Sequence, residues 1–226
     1  MQTSPISRSP QRVKDPAWRH VFPVLRQAMD AVSAVNSQLL DALVESARRG
    51  APGFPLDESL RSRMARLSLE ERRRAAGCRV FLVDANFVEF SCWRDMALPS
   101  ETAVLTETLP PWLPIEESRS LAHSALLLAW YVIHANPAVA RVLLGMSGSG
   151  VLAYRKLTIG DLAQVARCRR PHCVRPRWPT RADVWAQLIE GAGGAEPREP
   201  RSATLRCLEV SLGDLNWSSA YVEPSA

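Results

Sequence analysis

The side chains best suited to chemistry form a basic cluster in the C-terminal half of the chain. Between residues 155 and 181 there are eight basic side chains and one acid, Asp161, so this segment carries +7 while the whole chain carries +5. Clustered positive charge suits either nucleic-acid phosphates or an acidic protein surface. The candidate DNA-binding residues are Arg155, Lys156, Arg167, Arg169, Arg170, Arg175, Arg177 and Arg181. Replacing Arg169, Arg170 and Arg177 with Ala is expected to leave folding intact.

A second cluster, Cys168, His172 and Cys173, contains residue types that bind zinc. A closed zinc site needs four ligands, and neighbouring His172 and Cys173 cannot easily both bind one ion. No CxxC pair is present. We therefore predict no metal site. Cys78 and Cys168 each follow an apolar helix and are predicted to be small core residues.

Sequence signatures of catalysis are missing. Residues 145–148 lack the G-x-S-x-G spacing of a serine nucleophile. Residues 148–150 are too short for a phosphate-binding loop and lack its Lys. We predict that the protein is not an enzyme and has neither a cofactor nor a small-molecule substrate.

The tryptophans are predicted to lie in the core or at a protein interface rather than to stack on bases. The interface candidates are Trp130, Trp178 and Trp185.

The elements that position these side chains are predicted to be helical almost throughout. Apolar residues recur every three or four positions, and capping residues mark the helix ends. Capping boxes are predicted for Ser68 with Glu71 and for Thr158 with Asp161. Residues 80–83 are predicted to be a short strand or extended segment, and residues 147–150 a flexible turn. The helix before that turn and the capped helix after it loosely resemble a helix-turn-helix. The predicted helices cover residues 15–50, 57–67, 68–77, 87–96, 116–134, 137–144, 159–166 and 180–189.

The chain contains an internal repeat with an offset of 90 residues. The pattern L-S-L, Ala, Cys-Arg at residues 67–79 returns as L-T-I, Ala, Cys-Arg at residues 157–169. Slips of one and two residues then align Phe87 with Trp178 and Trp93 with Trp185. Cys and Trp are rare residues, so a shared spacing of both indicates a duplicated unit. Leu67 and Leu157, Ala76 and Ala166, and the two tryptophans are expected at equivalent buried positions.

We therefore predict an all-α fold of two similar small helical units packed as a pseudo-dimer, with irregular N- and C-terminal tails. The predicted division is a disordered tail (1–14), a first unit (15–98), a Pro/Thr-rich linker (99–114), a second unit with the basic cluster (115–190) and a flexible C-terminal tail (191–226).

The longest apolar run, residues 125–133, is well short of the roughly 20 residues that cross a bilayer. With no signal-peptide pattern at the start and an odd cysteine count, the expected location is the cytoplasm.

Several of these residues resemble the flagellar transcriptional activator FlhD family. The stretch Leu126–Ala129, the sequence Leu144-Gly145-Met146-Ser147, and the later Cys173 and Trp185 match that family's pattern in order and spacing. The resemblance covers roughly residues 20–95 and 120–190. The family's FRFDD stretch is altered in both units, and the first unit has Val83 where the second has Cys173. A disulfide between the two units through that pair is therefore excluded.

The FlhD resemblance implies a bacterial transcriptional regulator that acts with a protein partner, with duplex DNA as a further partner and motility or secretion genes as targets. A family subunit has one such unit, so the two units here imply a fused pseudo-dimer. The alternative is a protein–protein adaptor, or an accessory component of a motility or secretion system, that does not bind DNA. The basic cluster by itself leaves both functions open.

Overall fold

The computed structural model describes residues 18–87, 112–168, 174–194 and 204–212, with side chains described for 26–87, 112–167, 174–194 and 204–212. These residues are mostly helical, which confirms the predicted all-α class. Their strands are β1 (Val83–Asp84) and β2 (Arg175–Pro176). Their helices are α1 (Trp18–Arg48), α2 (Glu58–Arg66), α3 (Leu69–Ala76), α4 (Ile115–Ala135), α5 (Pro137–Leu144), α6 (Gly148–Tyr154), α7 (Ile159–Cys168), α8 (Ala182–Gly193) and α9 (204–212).

Helices α3 and α7 begin with the same kind of cap. The Ser68 hydroxyl accepts the Glu71 N–H at 3.3 Å, and the Glu71 carboxylate accepts the Ser68 N–H at 2.8 Å. At α7, the Thr158 hydroxyl accepts the Asp161 N–H at 3.2 Å and the Asp161 carboxylate accepts the Thr158 N–H at 2.7 Å. Each pair satisfies two backbone donors that a helix start leaves without partners. Both predicted capping boxes are confirmed.

Residues 147–150 are the start of α6, so the prediction of a flexible turn there is wrong. The Ser147 hydroxyl accepts the Gly150 N–H at 3.0 Å and caps the helix. Two glycines make this a poor helix by propensity alone. Burial of Val151 and Tyr154 outweighs that preference, and the Tyr154 hydroxyl donates to the Leu126 carbonyl at 2.7 Å.

The core lies between the two long helices. Helix α1 packs against α4 and also contacts α2 and α3, whereas α4 contacts α5 and α7. Leu39 and Leu43 on α1 are fully buried, as are Ala125 and Ala129 on α4. Each pair is four residues apart, which places both members on one side of its helix. Burying one Leu side chain contributes roughly 1.5–3 kcal/mol, so the packing of α1 on α4 stabilises the contact between the chain's two halves.

The two short strands join the halves at a second point. Val83 pairs with Pro176 and Asp84 with Arg175 in antiparallel register. The ladder is short because Pro176 has no N–H to donate. Two residues beyond each strand the backbone turns left-handed, at Asn86 (φ 60°) and Trp178 (φ 54°).

The helix caps recur with the offset of the predicted repeat. Asp57 and Ser147 cap α2 and α6, and Ser68 and Thr158 cap α3 and α7; both pairs are 90 positions apart. Ala76 and Ala166 are both buried, but Leu157 is only half-buried, whereas Leu67 is buried. Trp93 lies outside the described residues. The recurring order agrees with a duplication, which remains a prediction.

The predicted tail and linker boundaries need correction. Helix α8 continues to Gly193 with Gly191 and Ala192 buried, and α9 carries the buried Cys207, so the prediction of a flexible tail from residue 191 is wrong at both places. At the end of the predicted linker Trp112 is buried, and its carbonyl accepts the Ser46 hydroxyl at 2.8 Å. Apolar side chains at these positions find room in the core, which composition alone does not reveal. The predicted N-terminal tail and residues 88–111 lie outside the described residues.

Candidate functional site

The predicted basic cluster separates into three groups in the folded chain, and Arg177 is the buried one. Its side chain is only 5% exposed, and its Nη1 donates to the Leu143 carbonyl at 2.8 Å. The guanidinium lies 4.5 Å from the centre of the Trp178 ring. A cation at the C-terminal end of α5 is favoured by the helix dipole. The prediction of Arg177 as a DNA contact is therefore wrong, as is the expectation that its replacement leaves folding intact.

Gly145 gives a direct test of this buried cation. Gly145 ends α5 with φ 70°, and a Cβ there would overlap Nη2 of Arg177. Gly50 has a similar φ of 66° but open space around the position of a Cβ. Gly50→Ala is expected to cost about 1–2 kcal/mol, from the left-handed backbone alone. Gly145→Ala should cost at least about 1 kcal/mol more because of the overlap. Urea unfolding of both variants measures the difference, and equal losses would contradict the packing of Arg177 on Gly145.

Arg175 and Arg181 form a second group, whose charges are balanced by acids of the same chain. Arg175 Nε lies 2.9 Å from Asp84 Oδ2, and Arg181 Nη2 lies 2.9 Å from Asp183 Oδ2. The hydrogen bond from Arg181 is the main reason that the pKa of Asp183 lies far below its usual range. Arg181–Asp183 is an exposed pair and contributes at most about 1 kcal/mol to stability, whereas the Asp84 carboxylate is buried and Arg175 is its cation. Their effect here is to reduce the positive field of the predicted cluster.

The third group is exposed and lies on α6 and α7. Arg155, Lys156 and Arg167 are all exposed, and none forms an ion pair with another described residue. Leu152, three residues before Arg155, is 63% exposed, and Ile159 at the start of α7 is 52% exposed. Arg155 and Lys156 follow Leu152 by three and four residues at the end of α6, which places these two cations on the side of the helix that carries the leucine. We call Leu152, Arg155, Lys156 and Ile159 the α6–α7 patch. Arg169 and Arg170 lie outside the described residues.

Two of the three candidate interface tryptophans belong to the core. Trp185 is 1% exposed and its Nε1 donates to the Arg177 carbonyl at 2.9 Å; Trp178 is 9% exposed. Neither can anchor a partner from inside the fold, so of the two predicted alternatives, core or interface, the core is confirmed for both and they are no longer interface candidates. Trp130 is half-buried, and its Nε1 donates to the Leu157 carbonyl at 2.9 Å. It therefore holds the turn between α6 and α7.

The described cysteines are unsuited to nucleophilic chemistry. Burial raises the pKa of Cys78 to about 12 and that of Cys207 to about 11. Both thiols are therefore protonated at neutral pH, and a thiol is a weak nucleophile compared with its thiolate. Cys78 is a buried core residue, as predicted.

The predicted cluster of zinc-binding residue types is not placed by the structure: the Cys168 side chain, His172 and Cys173 lie outside the described residues. Within the described ranges, no three His, Cys, Asp or Glu side chains meet closely enough to hold a metal ion.

No protein-family model, characterised protein or solved structure matches this chain. The FlhD resemblance therefore remains a prediction, and the candidate site rests on its own geometry. In the part of the chain that the structure describes, no helix has both the length and the apolar character needed to cross a bilayer.

A groove of about 400 Å³ lies between α1, α5 and α9. Its walls are almost entirely apolar, and Arg79 is the charged residue that lines it. The volume is large enough for a small ligand. The groove has no pair of groups that could exchange a proton with a bound molecule. The α6–α7 patch has the more specific combination of exposed apolar and charged side chains.

Sequence reasoning found the cations of the α6–α7 patch but missed Leu152 and Ile159. Because residues 147–150 were predicted to be a turn, Leu152 was not assigned to a helix. A helix beginning at Ser147 would have placed Leu152 and Arg155 together and revealed an apolar residue beside a cation. The Ser at the start and the apolar Val151 and Tyr154, three residues apart, were the available signals in the sequence.

Proposed function

We propose that this protein is a helical adaptor that binds an acidic partner protein through the α6–α7 patch. The observation that carries the proposal is Leu152, 63% exposed beside Arg155 and Lys156 at the end of α6, together with Ile159, 52% exposed at the start of α7. Exposed aliphatic side chains that form one patch with a charged rim are typical of protein interaction surfaces, whereas single ones are ordinary. In an interface, these two side chains would be removed from water while the cations meet acids at the rim.

The charge of the patch indicates what kind of protein would bind. Arg155 and Lys156 have no ion-pair partner among the described residues, so their field extends into solvent. A complementary acidic surface would be attracted at a distance and oriented on approach. Such steering weakens as salt is added. The partner's contact surface should therefore combine Asp or Glu with apolar side chains.

The start of α7 favours a protein partner over direct DNA binding. In a helix-turn-helix protein, the first residues of the second helix contact base edges. Here the Asp161 carboxylate occupies that end of α7 and accepts the Thr158 N–H at 2.7 Å. The helix N-terminus, which could otherwise bind a phosphate, already holds a negative charge. A phosphate at this position would be repelled.

Affinity capture with matched charge variants tests the adaptor function. The bait Arg155→Glu/Lys156→Glu reverses both charges of the patch; the control Arg66→Glu/Arg73→Glu reverses two exposed cations of the first unit. Extracts of the source cells are passed over both baits and the wild type, and bound proteins are quantified by mass spectrometry. We expect an acidic protein that the wild type and control retain and the patch variant loses.

The purified binding protein then provides the quantitative measurement. Its affinity for the patch variant should fall at least about tenfold, because reversing a rim charge replaces an attraction by a repulsion. Raising the salt concentration should weaken binding to the wild type. If the patch variant retains the same proteins as the wild type, the adaptor proposal is wrong at this surface.

A transcriptional regulator that also contacts DNA is the second candidate function. The supporting observation is that Arg155, Lys156 and Arg167 are exposed around two consecutive helices joined by a short turn. This arrangement would also fit the function that the FlhD resemblance implies. Phosphate contacts from these cations would position the protein on duplex DNA without reading its sequence.

The salt dependence of duplex binding tests this second function. Each phosphate contact that is removed should lower the slope of log affinity against log salt by about 0.9. We expect Arg155→Ala and Lys156→Ala each to show this change, with little difference between DNA sequences. The same measurement on Arg66→Ala serves as control. If the wild type fails to bind duplex DNA at low salt, direct DNA contact is excluded.

A further inference from the structure

The groove between α1, α5 and α9 follows one side of α5. Four apolar residues of this helix line it, namely Ala138, Val139, Val142 and Leu143. These positions are three or four residues apart, so their side chains lie on the same side of the helix. The lining extends over residues 136–143, which corresponds to about 10 Å at the helical rise per residue. The groove therefore has an apolar wall about two helical turns long.

The other walls of the groove are apolar as well. Met29 on α1, Val80 and Leu208 on α9 complete them. Met29, Leu208, Val139 and Val142 are only half-buried, so part of each side chain is in contact with water. A chain of methylene groups in the groove would remove these side chains from water, which is favourable in proportion to the apolar area covered. The walls thus favour an aliphatic ligand.

Arg79 gives the groove its charge. Its side chain is exposed and forms no ion pair with another described residue. Glu209, which follows Leu208 in the chain, is paired with Arg206 at 3.1 Å and leaves Arg79 to other anions. A guanidinium can bind a carboxylate through two parallel hydrogen bonds. Arg79 therefore selects for a negative group on the ligand.

Asn136 adds a neutral donor to the lining. Its Oδ1 accepts the N–H groups of Ala138 and Val139, each at 3.1 Å, and so caps α5. Its Nδ2 donates to no acceptor among the described residues. The polar side chains that line the groove, Arg79 and Asn136, thus both have donors to offer. They favour a ligand whose polar end accepts hydrogen bonds.

We propose that this groove binds an amphipathic anion, an unbranched aliphatic chain that lies along α5 and ends in a carboxylate at Arg79. Because carbon–carbon bonds are about 1.5 Å long, an extended chain of roughly eight to ten carbons spans the apolar wall. The role assigned to the groove is binding only. No residue of the α6–α7 patch lines it, so the inference is independent of the adaptor function.

A series of straight-chain carboxylates tests the fit to the groove. Hexanoate, octanoate, decanoate, dodecanoate and tetradecanoate are titrated into the full chain by calorimetry, below the concentrations at which they form micelles. We expect the affinity to rise roughly tenfold for each two added carbons until the chain fills the groove, and not to rise beyond dodecanoate. An affinity that still rises at tetradecanoate would reveal association that the groove does not limit. That result, or no binding by any member, overturns the inference.

The polar end of the ligand is tested at constant chain length. Decanoate should bind at least about tenfold more tightly than decanol, because hydrogen bonds to a charged partner are the stronger ones. Decyltrimethylammonium, which carries a positive charge, should bind more weakly than both. Equal affinity for all three would show non-specific uptake of aliphatic chains and would contradict a site for anions. Thermal unfolding gives a second measurement, since a ligand of the folded state raises the midpoint.

Two variants and one control locate the bound anion. Arg79→Gln should weaken decanoate binding at least about tenfold and leave decanol binding unchanged. Arg141→Gln is the matched control, because Arg141 is an exposed cation of α5 that does not line the groove. We expect it to change decanoate affinity by less than about twofold, since salt screens charges that are not in contact. If Arg79→Gln binds decanoate as the wild type does, or if both variants lose the same amount, the inference is wrong.

Val142→Trp fills the groove and should weaken the binding of decanoate and decanol alike, which separates the apolar wall from the charge at Arg79. Circular dichroism shows whether this variant folds. If it does not, hydrogen exchange of the wild type replaces it. Slower exchange at residues 137–144 is then expected when decanoate is bound. Unchanged exchange there would place the ligand elsewhere and overturn the inference, without bearing on the adaptor function.

Discussion

Trp185→Ala is expected to destabilise the protein by about 3–5 kcal/mol, the range found when a buried aromatic side chain is truncated to Ala. The indole is 1% exposed on α8, the helix that covers α2 and α3. Removing it leaves a cavity and also removes the donor that satisfies the Arg177 carbonyl at 2.9 Å. Equilibrium unfolding in urea measures the loss from the shift of the midpoint at constant slope.

Trp185→Phe separates the two contributions to that loss. Phe keeps a ring in the core but cannot donate to the Arg177 carbonyl, so its cost should be about 1–3 kcal/mol, the penalty for one unsatisfied buried group. A Trp185→Ala protein as stable as the wild type that has lost partner binding would contradict the core assignment. It would make Trp185 an interface residue.

Asn36→Leu should produce the second large loss, although it replaces a buried side chain with one of similar size. Asn36 on α1 is fully buried; its amide donates to the Val80 carbonyl at 2.8 Å, and its Oδ1 accepts the Leu82 N–H at 2.9 Å. Leu can make neither bond. A buried group left without a partner costs about 1–3 kcal/mol. Here the Leu82 N–H loses its acceptor, and the Val80 carbonyl keeps the weak thiol donor of Cys78 at 3.5 Å. The Asn36 side chain therefore links α1 to the segment that leads into β1.

Ser37→Ala is the matched control for Asn36→Leu. Ser37 is the next residue of α1, and its hydroxyl donates only to the Ser33 carbonyl within the same helix. Its loss should lie within about 0.5 kcal/mol, as for an ordinary surface substitution. Urea unfolding of both variants gives the comparison. If Asn36→Leu is as mild as Ser37→Ala, the Asn36 hydrogen bonds do not hold the segment in place.

Most helix ends could be predicted because capping is a local property of the sequence. Ser68 with Glu71 and Thr158 with Asp161 form the predicted boxes. Gly145 ends α5 in the left-handed conformation that glycine adopts without strain. Residues three or four apart carry all the atoms that these caps need, so no distant contact is required to form them.

Tertiary structure decided which residues of the predicted basic cluster are available. Arg155 and Arg177 look alike in the sequence, but one is exposed and the other is buried against the Leu143 carbonyl, 34 residues away in the chain. Arg175 is balanced by Asp84, 91 residues away. Such partners are brought together only by the pairing of β1 with β2 and the packing around α5, which no local pattern encodes.

In the seven residues of α6, the sequence determined one feature and the tertiary structure decided another. The sequence by itself determined that a cap at Ser147 was available, but Gly148 and Gly150 made a turn equally reasonable. Burial of Val151 and the hydrogen bond from Tyr154 to the Leu126 carbonyl selected the helix. A short helix is not stable by propensity alone, because nucleation costs more than its few hydrogen bonds return. Packing against α4 and α5 supplied the free energy that the short helix lacks by itself. The same packing placed Leu152 beside Arg155 on the surface.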